Sequence, residues 1–136
     1  MKGLRIRHAM AMTLLVALTG CDSYTDPAPV ERQTVTFNGR LELGGTFVGP
    51  FPVKNAGGVR VLVNTMTGVD TGVTATGGIA VGTWDGVTCS LLVKNENATF
   101  TTVVTGTAIV GDYCVQIYDV GKFTEAVNYS VEVQHP

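Results

Sequence analysis

From Thr34 onward, apolar and polar residues alternate with a period of two, broken every eight to twelve residues by glycine, proline or asparagine. That period places successive side chains on opposite faces of a strand. Val35 and Phe37 open the pattern, and the chain runs past Asn38-Gly39 into Arg40 to Leu43 before Gly44-Gly45 stops it. Pro50 and Pro52 bracket a short segment around Phe51 and Val53, which predicts an edge strand, because proline has no N–H to give to a second neighbour. Asn55 to Gly58 reads as a turn, and Val59, Val61 and Val63 alternate with Arg60, Leu62 and Asn64 in the clearest strand of the first half.

After a loop at Thr67 to Gly72, a strand is predicted over Thr74 to Trp84 with a bulge or bend at Gly77-Gly78. Asp85-Gly86 is a two-residue hairpin signal leading into Val87 to Lys94. Asn95-Glu96-Asn97 predicts a turn into a strand over Phe100 to Thr105, and Gly106 and Gly111 frame a loop. Asp112 to Tyr118 and Tyr129 to Val133 complete the set. The expected fold is all-β, an antiparallel jelly-roll-like β-sandwich of about eight strands. Its expected core is Val61, Val63, Leu91, Val93, Val115, Ile117, Val131 and Val133, with Trp84 and Tyr113 adding aromatic area.

The first 21 residues follow another rule. Lys2, Arg5 and Arg7 precede an apolar run from Ala9 to Leu18 that is too short to span a bilayer, and Leu18-Thr19-Gly20-Cys21 follows. This layout resembles the lipobox of bacterial lipoproteins, in which the cysteine is acylated and becomes the first residue of the mature chain. The alternative is an ordinary cleaved secretory signal. The lipobox resemblance implies a signal peptide at residues 1–20, a lipid anchor (diacylglyceryl and palmitate) on Cys21, and a place in the bacterial cell envelope. Two acyl chains hold a protein on a membrane where one holds it marginally. Residues 21–33, with Pro27 and Pro29 among polar neighbours, read as the acylated cysteine and a tether, and residues 34–136 as the folded domain.

Removal of the leader would change the balance of the rest. Six of the nine Lys and Arg would remain against eleven Asp and Glu, and that acidic excess argues against nucleic acid as a partner. Of three cysteines, acylation would take Cys21 and leave Cys89 and Cys114 as an even pair in an oxidising compartment. A structural disulfide is the expectation. A redox or metal pair is the alternative, but the pair lacks Cys-x-x-Cys spacing.

Catalytic signals are sparse. His8 would leave with the signal and His135 is penultimate, where termini are commonly disordered, so no interior imidazole is expected to serve a nucleophile. Asp70, Asp85, Asp112 and Asp119 fall in expected loops or strand ends. They read as solvated turn formers, with paired-carboxylate glycoside hydrolysis as a remote second use. For Ca²⁺, the only cofactor candidate, the available oxygens are Asp85 with Asn95, Glu96 and Asn97, or Asp112 with Asp119. Trp84, the single tryptophan, is expected to cap the core; exposed beside Asp85, it would instead stack on a sugar ring.

Gly111-Asp112-Tyr113-Cys114-Val115-Gln116-Ile117-Tyr118-Asp119 and Tyr129-Ser130-Val131-Glu132-Val133 resemble the last two strands of the bacterial pre-peptidase C-terminal domain. That resemblance implies a small non-catalytic jelly-roll-like sandwich. The expected function is thus a lipid-anchored module that binds an envelope protein or a glycan, or else a purely structural component of an envelope assembly.

Overall fold

The computed structural model describes residues 28–136; the lipobox, Cys21 and the first part of the tether lie outside them. Eight strands form: β1 (Gln33–Leu41), β2 (Thr46–Val53), β3 (Gly57–Gly68), β4 (Gly77–Trp84), β5 (Cys89–Ala98), β6 (Val103–Ala108), β7 (Gly111–Tyr118) and β8 (Val127–His135). They make two four-stranded antiparallel sheets, ordered β1-β8-β3-β6 and β2-β7-β4-β5. Four pairings, β1 with β8, β2 with β7, β3 with β6 and β4 with β5, are the rungs of one long two-stranded ribbon. Rolled up, that ribbon brings β3 against β8 and β4 against β7, and these two contacts complete the sheets. This is jelly-roll topology, and the sandwich is the architecture that the period-two pattern predicts.

The inner faces carry the alternating residues. Val59, Val61, Val63 and Met66 of β3, Val127, Tyr129, Val131 and Val133 of β8, Tyr113, Val115 and Ile117 of β7, and Ile79 of β4 make one continuous core. At the β1/β2 side Phe37, Phe47 and Tyr129 pack as tilted rings, with centroids 5.6 and 5.3 Å apart. Aromatic residues fill this margin of the sandwich with few side chains.

The structure corrects several expectations. Asn95-Glu96-Asn97 is no turn: it continues β5, and the chain reverses at Thr99 to Thr102. There Thr101 takes a left-handed φ of 68°, a conformation the asparagines would have suited better. Gly106 lies inside β6, not in a loop. The β4–β5 connection is a four-residue loop, Asp85 to Thr88, rather than a two-residue hairpin; Asp85 Oδ1 accepts hydrogen bonds from the N–H groups of Val87 and Thr88, and Gly86 supplies a φ of 99°. Leu91 and Val93, expected in the core, are 42% and 43% exposed. Two register shifts against β4 turn β5 out of phase with the core, and as an edge strand it has no second neighbour to cover it.

His135 is the largest departure. It ends β8 in register with Gln33, is fully buried, and packs its ring 5.3 Å from that of Phe51. Its Nε2 has no hydrogen-bond partner. The ladder with β1 holds the penultimate residue in place, so position in the chain was a poor guide to order.

Cys89 and Cys114 stand at disulfide distance, 2.04 Å between sulfurs and 5.8 Å between Cα atoms. They sit on strands separated by β4, so a flat sheet would hold them too far apart. Gly82 resolves this. It pairs with both Cys114 and Leu91 on the outer face, and a Cβ there would lie 2.2 Å from the Ser90 carbonyl oxygen. The start of β5 therefore folds over β4 where β4 has no side chain, and that brings Cys89 to Cys114. Gly82→Ala is expected to leave both thiols free to alkylation in unreduced protein. Replacing both cysteines by serine is expected to cost about 3 kcal/mol in urea unfolding, the loop-entropy value for a closure of this length.

Candidate functional site

Strand register decides which side chains meet on the outer face of the β2-β7-β4-β5 sheet. Pro50 lies opposite Cys114 and Pro52 opposite Asp112, while Thr83 pairs with Tyr113, which sets Trp84 beside Asp112. Directly opposed residues point to the same side of a sheet. Pro52, Asp112 and Trp84 thus form one row across three strands, and Pro50, Cys114 and Gly82 form the next. The Asp85–Gly86 turn rises at the end of the first row. The result is a shallow depression of about 490 Å³ lined by Pro50, Phe51, Pro52, Trp84, Asp85, Gly86 and Asp112.

Trp84 does not cap the core. It is half-buried on the outer face at the end of β4, with the exposed Pro50 and Pro52 across β7 from it. The Asp85 carboxyl is kept below its ordinary pKa by N–H donation from Thr88 and then Val87, so it is anionic and spends one oxygen on the turn. Among the described residues, Asp112 accepts no hydrogen bond. The depression thus brings together an indole, two rigid pyrrolidine rings and two carboxylates, with no cation among its lining residues.

The groupings expected for calcium do not form. Asp112 precedes β7 residue Tyr113 and Asp119 follows the far end of the same strand, so a full strand length separates them. Asp85 likewise lies at the opposite end of the β4–β5 hairpin from Asn95, Glu96 and Asn97. Glu96 is engaged by Lys94 at 2.8 Å, and that pairing holds its carboxyl below the usual value. Asn97 Oδ1 accepts from Lys122 Nζ. Among the described residues no cluster of three His, Cys, Asp or Glu side chains is placed to hold a metal ion.

Asp119 anchors loops. Its Oδ1 accepts from the N–H groups of Gly121, Lys122 and Phe123, and its Oδ2 from Gly44 N–H across the β1–β2 turn. Burial pulls this carboxyl upward, but the four N–H donors outweigh burial and hold it below its ordinary value. Glu125, which the sequence did not single out, plays the same part for the β3–β4 loop. It accepts from the Thr71 hydroxyl and from the Asp70 and Thr71 N–H groups, and these lower its pKa. Asp70 takes part through its backbone N–H. Neither anchor borders the Trp84 depression. Pro50 and Pro52 were legible as edge-strand markers, but their place in the depression follows from the β2–β7 register, which alternation alone does not reveal.

No protein-family model matches this sequence, and no curated protein matches it. The resemblances to lipoproteins and to pre-peptidase C-terminal domains therefore rest on the residues themselves.

Asp85, Asp119 and Glu125 each bind a proton less tightly folded than unfolded. Their contribution to stability is complete above the unfolded carboxylate range and is lost as pH falls through the lowered folded values. Urea midpoints are expected to hold from pH 7 to about 5 and fall below about pH 4. Asp119→Asn is expected to lower stability at pH 7 by about 1 kcal/mol, allowing for solvent screening, and to flatten the acid limb.

Proposed function

We propose that this protein is a non-catalytic, lipid-anchored module of the bacterial cell envelope that binds a glycan or a protein partner through the Trp84 depression. The observation that carries this reading is the half-buried Trp84 that shares an outer-face depression with Pro50, Pro52, Asp85 and Asp112. An aromatic face stacks on the C–H face of a sugar ring or on an extended peptide, and neighbouring carboxylates accept hydrogen bonds from hydroxyl or amide groups. Ligands rich in phosphate or carboxylate would be repelled, which agrees with the acidic balance of the chain.

The anchor in this reading is Cys21, and the tether up to Gln33 lifts the sandwich from the membrane. Residues 28–32 are exposed and without regular structure, as a spacer requires. Catalysis has no part in it: the one imaginable paired-carboxylate use of Asp85 and Asp112 would commit an oxygen that the turn already holds.

Because Trp84 is the only tryptophan, its fluorescence reports the site without ambiguity. Titration with neutral cell-wall oligosaccharides or with envelope extracts is expected to quench or blue-shift the emission. Asp112→Ala, with the tryptophan intact, is expected to bind about tenfold more weakly. Unchanged emission across all ligands, with no envelope protein crosslinked to a photoreactive residue at position 84, would refute the binding reading. For the anchor, Cys21→Ser is expected to release the protein from membranes under a carbonate wash; retention would overturn the lipoprotein assignment.

A further inference from the structure

The two sides of the sandwich are guarded differently. On the β1/β2 side, Pro50 and Pro52 interrupt the edge and Arg40 and Glu42 add charge. On the β5/β6 side, β5 is broken by two register shifts and carries Lys94 and Glu96, but β6 has none of these devices. No charged residue or proline occurs between Glu96 and Asp112.

Hydrogen-bond phase shows what the β6 edge offers. Val63 N–H donates to the Thr102 carbonyl, so with residue-by-residue alternation Val104, Gly106 and Ala108 bond to β3. Val103, Thr105 and Thr107 then turn their N–H and C=O groups outward. Beside this edge the two sheets part in a narrow apolar crevice of about 50 Å³, where Leu92 and Val93 of β5 face Thr105 to Ala108 of β6 over Val59, Val81 and Tyr113. Leu92 and Val93 of the crevice, Val103 of β6, and Ile109 and Val110 in the turn that follows β6 are 42 to 74% exposed. Together they leave on the order of 500 Å² of apolar residue surface in water, a large patch for a monomer, and pairing of the β6 backbone with Thr105 and Thr107 would bring the area toward the ~800 Å² per partner of a stable interface.

We infer that the β6 edge is a homodimer interface, in which two copies pair β6 antiparallel about a twofold axis near Thr105 and join their β1-β8-β3-β6 sheets into one of eight strands. The edge is self-complementary. Val103 meets Thr107 of the second copy, the twofold places Thr105 opposite itself, and small side chains at 105 to 108 allow close approach. An uncharged strip is also the part of an acidic molecule that can face its own copy without like-charge repulsion. The same rotation brings the two β5 strands alongside each other and covers Leu92 and Val93. A C2 contact of this isologous kind closes on itself and does not propagate.

The test is sedimentation velocity and light scattering on the full chain in detergent micelles, with wild type, Thr105→Lys and Thr105→Pro compared under identical conditions. Lysine at 105 would meet its own copy at the twofold. Proline at 105 removes one outward N–H and leaves every β3–β6 hydrogen bond intact. Wild type is expected to be dimeric at micromolar concentration and insensitive to added salt. Both variants are expected to weaken association about a hundredfold or more, with salt partly restoring the lysine variant. Circular dichroism and an intact Cys89–Cys114 bridge identify variants that have kept their fold. A monomeric wild type, a dimer unaffected by folded variants, or a dimer that salt dissociates would each overturn the assignment, as would stoichiometric occupation of the β6 edge by a different protein.

Discussion

Everything in this molecule depends on the contact between β3 and β8. Val61 opposes Val133 and Val63 opposes Val131, and all four are fully buried. Without that pairing the chain would be a long ribbon with one apolar face and nothing to put it against. With it, the ribbon's two arms become neighbours, the first sheet is complete, and β4 is carried against β7 to complete the second. The hydrophobic effect supplies the drive, and it acts through a few β-branched residues whose stiff side chains suit a pleated surface. Charged and loop residues then tune a fold that these valines impose.

The strands that do the imposing were the ones the sequence displayed. β8 alternates throughout, β3 does so up to the register shift after Val63, and β7 does so apart from Cys114, because each has one face on the core and two strand neighbours. Reading failed at the margins. β5 has consecutive apolar residues at 91 to 93 that look like core, yet the shifts in register that expose them depend on Gly82 and the fold-over to Cys114. Those are tertiary facts with no local signature. Asn95 to Asn97 has turn chemistry but lies in strand because β4 offers it a ladder. A penultimate position suggests disorder for His135, whereas β1, a hundred residues earlier in the chain, holds it in place.

The candidate site was half legible. Trp84 and Asp85 are adjacent in sequence, and a lone tryptophan beside a turn draws notice. Asp112 stands out in the sequence beside Asp119 rather than beside Trp84, because distance along the chain says nothing about which end of a strand a loop occupies. The ribbon topology sorts these residues by end: Asp85 and Asp112 share one, and Glu96, Asn97 and Asp119 share the other. Pro50 and Pro52, kept on β2 by the demands of an edge strand, join the depression because an outward-facing proline is also a rigid apolar surface.

The nesting of the ribbon also bears on how the chain can assemble in time. Its rungs differ widely in the length of chain each must close, from the four-residue loop between β4 and β5 to the span between Gln33 and His135. Closing a long loop outright costs more entropy than closing it after the rungs inside it have formed, since each inner rung shortens the free chain left for the next. The least costly route zips from the Asp85 turn outward and joins β1 to β8 last. Dominated by such distant pairings, the domain belongs among slow folders. The Trp84–Asp85 side of the depression would then be among the first parts to take shape, its Pro50–Pro52 side would follow when β2 meets β7, and β1 would be placed last.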